Sequence, residues 1–287
     1  MWVILALITA IFTSLKDIFG RKIIKKVDPE IAALGWLLFT LPFMYVMLFI
    51  EGRPQVDYMF WIYVGSVTII LTIASICFFK ALKVSDMSIS MPMLTFTPVF
   101  LLITSPIMLG EFPQAIGLLG ILLIVAGAYV INFSDRKIGY FEPFKSLLKE
   151  KGPRYMLVVA VLYSIGANFD KMAVVKYSMF AYLCAVNSCV SLVIFLIVLN
   201  KSKNIIAQFK FGWPYMLLMG ICTTIAFFSQ MSAIQMTIVP YVIAIKRTSV
   251  VMSSLFGIWI FKEKGFKERI IGVIVMIIGV FIISFYG

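Results

Sequence analysis

The chain has 287 residues, 62% of them hydrophobic and 13% charged, with a formal net charge of +12. That composition excludes an ordinary soluble domain, in which about a quarter of the residues are charged. The chain has no histidine and no carboxylate cluster, which speaks against a catalytic metal site, and no cofactor is expected.

Ten mostly apolar segments follow one another: 2–19, 31–50, 59–79, 88–108, 115–133, 155–173, 179–199, 213–233, 238–261 and 270–286. Each is about 17 to 24 residues long, which at ~1.5 Å rise per residue matches a hydrocarbon core of ~30 Å. Segment one lacks a basic n-region and a small-residue cleavage site, so it is expected to be a span and not a removable signal. It ends on Lys16 and Asp17. Segment four carries Pro92, Pro98 and Pro106, together with Ser88, Ser90, Thr95 and Thr97. Segment six ends on Asp170 and Lys171, and segment nine opens at Pro240. Prolines free carbonyls and bend helices, which is tolerated where a cavity receives those groups, so segments four and nine are expected to be cavity walls. Tyr163, Tyr177, Tyr182 and Tyr241 offer hydroxyls to such a cavity or belong to the interfacial belt. Cys77, Cys184, Cys189 and Cys222 fall inside spans and read as small packing residues, while Trp2, Trp61, Trp213 and Trp259 sit at segment ends, where indole anchors.

Basic residues are sorted by loop. The odd-numbered gaps between segments hold nineteen of the 25 Lys and Arg, and the even gaps hold only Arg53, Lys171 and Lys176. Cytoplasmic loops retain Lys and Arg, so a ten-span protein of the cell membrane is expected with both termini outside. Loop placement accounts for the charge, and no nucleic-acid partner is expected; the partners are the bilayer and a small-molecule substrate. The longest and most charged gap divides the chain into 1–134, a cytoplasmic linker at 135–153, and 154–287.

The two halves repeat. A shift of 152 positions pairs Val99 with Val251, Glu111 with Glu263, Gly120 with Gly272 and Gly127 with Gly279, and near the starts a shift of 150 pairs Ser14 with Ser164 and Arg21 with Lys171. Five spans is an odd number, so the second copy threads the bilayer in the opposite sense and its charge bias should reverse. The four gaps inside the first half carry 4, 1, 2 and 0 basic residues, against 2, 3, 0 and 4 in the second. The fold expected is an all-α membrane protein of ten transmembrane helices arranged as two inverted five-helix repeats. Such repeats are a transporter architecture, with substrate bound near the midplane between the halves. Gly120, Gly127, Gly272 and Gly279 are expected to let helices pack closely. Glu111 and Glu263 stand just ahead of helix starts, where a carboxylate caps amides.

The stretch Leu109-Gly110-Glu111 with Gly120 and Gly127, echoed by Glu263, Gly272 and Gly279, resembles the two EamA-type repeats of the drug/metabolite transporter superfamily. The glycine spacing also resembles the last helix of the small multidrug resistance proteins. The resemblance implies a transporter. It leaves the substrate open among amino acids, drugs, sugar phosphates and nucleotide sugars.

Lys246 and Arg247 lie about 12–14 Å into segment nine, where a cation costs at least ~2.5 kcal/mol. Their repeat equivalents are Leu94 and Thr95, so symmetry did not put them there. They read as a substrate-binding pair, with Thr95 and Tyr241 beside them, or as one side of an internal ion pair with Asp17 or Asp170. The pair resembles the phosphate-binding Lys-Arg of the plastid sugar-phosphate translocators, which implies a point charge from Lys246 and a planar fork from Arg247. The translocators also use a lysine in the fourth span, which segment four lacks. Lys16–Asp17 and Asp170–Lys171 are expected as gating or ion-pair clusters at opposite mouths. The alternative to an anion transporter is an exporter of amino acids or of cationic or zwitterionic drugs.

Overall fold

The computed structural model describes residues 1–52, 54–85, 90–133, 150–253 and 266–286, and among these every regular element is helical. The helices are α1 (Trp2–Ile23), α2 (Pro29–Glu51), α3 (Tyr58–Val84), α4 (Thr97–Leu109), α5 (Ala115–Phe133), α6 (Lys151–Lys176), α7 (Met179–Lys201), α8 (Ile205–Met236), α9 (Val239–Lys246) and α10 (Phe266–Tyr286). Of these, α1, α2, α3, α6, α7 and α8 are long and apolar enough to cross a bilayer, and shorter apolar helices cover Met93–Leu109, Ala115–Ala128 and Gly272–Phe285. The chain is a multi-pass membrane protein.

Several helices outrun their apolar segments. α1 continues through Arg21 and Lys22, α6 begins at Lys151 and α8 begins at Ile205. Lys, Arg and Gln are good helix formers, and continuing the helix into these polar flanks lets the backbone satisfy its own hydrogen bonds.

Packing follows a rule of exchange. The first helix of each half lies on the third helix of the other, as α1 on α8 and α6 on α3. The second helices pair with each other (α2 with α7), and so do the fifth (α5 with α10). Each first helix also touches the other half's fourth, as α1 with α9 and α6 with α4. Swapping the two halves leaves this contact pattern unchanged, which is what a pseudo-twofold relation between repeats produces. The ends repeat too. Arg21 donates to the carbonyl of Ser85, the C-cap of α3, at 3.2 Å, and Lys171 donates to the carbonyl of Thr237, the C-cap of α8, at 2.7 Å. Both cations complement the negative end of a helix.

The α5–α10 contact is built on glycine. A Cβ on Gly127 would lie 2.6 Å from the Gly272 carbonyl oxygen, and one on Gly279 would lie 2.7 Å from that of Gly120. Only hydrogen at these positions lets the two backbones touch.

The fourth helix of each half is irregular at equivalent places. In the first half a 3-10 stretch, Met91–Phe96, precedes α4. In the second, α9 stops at Lys246, Arg247 forms a turn, and helix resumes at 248–253. The Thr248 hydroxyl caps the carbonyl of Ile245 at 2.8 Å, satisfying one acceptor freed by the break.

Candidate functional site

A polar cavity lies where these irregular segments meet the first, third and second helices of both halves. Charged residues from three helices line it: Lys16 and Asp17 from α1, Asp170 from α6, and Lys246 and Arg247 at the end of α9. Its volume is about 90 Å³, several times the ~10–15 Å³ that one water needs.

Arg247 is only 3% exposed. Its Nη2 donates to Thr97 Oγ1 at 2.7 Å, and the Thr97 hydroxyl donates in turn to the Leu94 carbonyl at 2.7 Å, which positions it at the junction of the 3-10 turn and α4. The guanidinium stands over the Tyr163 ring, 5.7 Å from its centroid, a cation–π arrangement. Arg247 Nε is buried and has no hydrogen-bond partner among the described residues. Beside it, the Lys246 ammonium is held by the amide oxygen of Gln230. Two cations thus share one wall, with neutral partners.

The other charges divide differently. Lys16 Nζ and Asp17 Oδ1 pair at 3.1 Å, and the Lys16 ammonium also faces the rings of Phe78 and Trp36, at 4.8 and 5.3 Å. Asp170 accepts from the Tyr182 hydroxyl at 2.8 Å, and among the described residues no basic group pairs with it. With Lys16 and Asp17 cancelling, the described residues leave the cavity with two cations against one carboxylate, a formal surplus of one positive charge.

Several sequence expectations meet a different arrangement. Thr95 is buried but does not line the cavity; Thr97, two residues on, takes the place beside Arg247. Tyr241 lies away from the cavity, stacked on Trp2 at 6.3 Å, with its hydroxyl accepting from the Gln114 amide at 3.2 Å. Position along α9 decides this, because Tyr241 is five residues before Lys246 and faces α5 instead. Lys16, Asp17 and Asp170 border one cavity and are not split between two mouths. Lys171 is turned outward to an ion pair with Glu111 and to the Thr237 carbonyl. Glu111 caps a helix, but in the opposite half: its Oε2 accepts from the Val239 amide at the start of α9, at 3.2 Å. Its turn is set by Gly110, whose φ of +69° caps α4 in the left-handed conformation. Glu263 lies outside the described residues.

Sequence reasoning passed over Gln230 and Asn187, 4% and 1% exposed, both lining the cavity. Uncharged amides inside apolar spans are costly to bury unless bonded. That signal was available, but nothing in one sequence says which amides converge.

A family model described as the EamA-like transporter family matches residues 1–133 and 151–285. No curated protein matches the chain. A solved structure titled only "Crystal structure of protein" superposes with a TM-score of 0.75 at 14% identity, over 98% of this chain and 95% of its own. At that identity the likeness concerns the fold alone.

Proposed function

This chain belongs to the EamA-like transporter family, and from that membership we propose that it moves a small polar, anionic metabolite across the cell membrane by alternating access. The observation that carries the reading is the adjacent Lys246 and Arg247, the first half-buried and the second buried, facing a cavity between the repeats, with Arg247 Nε still able to donate. A buried guanidinium without a carboxylate suits a phosphate or carboxylate oxygen supplied by the solute. Discontinuous helices at equivalent places of two repeats support the same reading, since transporters build their substrate sites from such breaks.

In this reading the two repeats, 1–134 and 154–287, are inverted, the linker at 135–153 is cytoplasmic, and both termini are outside. The loop charges and the exchange symmetry of helix packing support that arrangement. The solute sits against Lys246, Arg247, Thr97 and Gln230, and the halves rock about it. Replacing Lys246 and Arg247 together by Gln abolishes uptake or exchange of organic anions in proteoliposomes while the protein still folds. Undiminished transport removes the site assignment.

Asp170 favours a second reading. A carboxylate in the cavity held by a tyrosine suits a solute that also carries a cationic group, as amino acids and zwitterionic drugs do. Thermal-shift measurements separate the two: stabilisation by organic anions supports the first reading, and stabilisation by cations or zwitterions alone supports the second.

A further inference from the structure

Two polar clasps close the molecule, one at each end, and they join corresponding parts of the two halves. At one end Asp28, in the turn between α1 and α2, meets Gln208 in the first turn of α8. The Asp28 amide donates to Gln208 Oε1 at 2.7 Å, and Gln208 Nε2 donates to Asp28 Oδ2 at 2.9 Å. At the other end the turn between α6 and α7 meets the start of α3. Lys176 Nζ pairs with Asp57 Oδ2 at 3.1 Å, and the Tyr177 hydroxyl donates to Asp57 Oδ1. Ser178 in the same turn donates to Glu51 at the end of α2.

The correspondence is specific. In each clasp, the turn linking the first two helices of one half is gripped by the N-terminal turn of the third helix of the other half. Exchanging the repeats converts one clasp into the other. Asp28 also pairs with Lys83 near the end of α3 at 3.2 Å, so an Asp–Gln–Lys cluster answers an Asp–Lys–Tyr cluster: each is centred on an aspartate, but with different partners.

We propose that these clasps are the two gates of the transport cycle, the Asp28–Gln208 clasp closing the cytoplasmic mouth and the Asp57–Lys176–Tyr177 clasp closing the outer one. The proposal rests on the alternating-access reading above. Both clasps are made in this structure. Asp57 and Lys176 are half exposed, and exposed ion pairs contribute little net free energy. A gate needs that weakness, because thermal motion must open it many times each second. The first and third helices joined by each clasp also carry Lys16, Asp17 and Asp170 to the cavity, so opening one end displaces groups at the centre.

The test requires no known solute. A single reporter, Ser75→Cys, is placed on the cavity wall in a background with Cys77, Cys184, Cys189 and Cys222 replaced by Ala. Its labelling by a membrane-impermeant maleimide is timed from each face in right-side-out and inside-out vesicles. Gln208→Ala removes both hydrogen bonds to Asp28 and should speed labelling from the cytoplasmic face alone, by at least roughly two- to fivefold, the size expected from losing a single weak polar contact. The double variant Lys176→Ala/Tyr177→Phe should speed labelling from the outer face alone by a similar factor. Asp28→Asn serves as a second cytoplasmic variant, and thermal unfolding verifies that each protein is folded. If the reporter is reached from both faces but no variant changes its rate, the clasps are not gates while alternating access stands. Equal acceleration from both faces means general loosening and overturns the proposal. A reporter reached from one face only, or from neither, in every variant overturns alternating access and the gates together.

Discussion

A guanidinium as buried as that of Arg247 is costly, because moving an ion out of water takes several kcal/mol that neutral partners offset only in part. Among the described residues Thr97 takes one of its N–H donors, the Tyr163 ring faces the cation, and Nε has no acceptor. Charge has a different role at Asp57, outside the spans. The Tyr177 hydroxyl, the Phe60 amide and the Lys176 ammonium all favour its ionised form and hold the carboxyl down at about 2, below its ordinary 3.8. Since the folded value is the lower one, the stabilisation is fully present above the unfolded value and disappears as pH falls through the folded one. The melting temperature of Asp57→Asn in nanodiscs should therefore lie below that of the parent by a constant gap above about pH 4, narrowing toward pH 2. A gap that does not change between pH 6 and pH 2 contradicts the assignment.

Elements differ in how much of their role is written along their own length. The α5–α10 pair was legible: glycines seven residues apart on both helices require a close partner, and the partner proves to be the equivalent helix of the other repeat. Gly127→Leu drives a side chain toward the Gly272 carbonyl and Met276, so the helices must separate. The expected cost is about 1–3 kcal/mol, the usual range for overpacking, read as a lower melting temperature with Lys246 and Arg247 untouched. Glu111 was half legible. A carboxylate ahead of a helix start announces a cap, yet the amide it meets belongs to α9 and not to the helix that follows it in sequence. Local spacing cannot say which helix start a carboxylate will meet once tertiary packing brings in another from the opposite half.

At the scale of the whole molecule, the proposed topology makes a direct prediction. A protease or impermeant label applied from the cytoplasmic side should reach the linker at 135–153 and leave both termini untouched, and the reverse should hold from outside. Cleavage of the linker from the outer face would turn the arrangement over. The exchange of contacts between halves also explains why the cavity lies where it does. Each half contributes a first, a second, a third and an irregular fourth helix to the walls, and the fifth helices stand apart as a glycine-packed pair.

The long apolar helices, the duplication and the presence of Lys246 and Arg247 inside an apolar stretch were all legible in the sequence, because hydrocarbon thickness and the cost of burying charge act on each segment independently of its neighbours. Tertiary structure alone decided which polar groups meet: Thr97 and not Thr95, Asp170 beside the cavity, Lys171 turned away to Glu111, and Tyr241 against α5. Those outcomes depend on helix rotation and crossing, which are set by packing between segments far apart in the chain, and one helix's periodicity carries no record of which face its distant partner will cover.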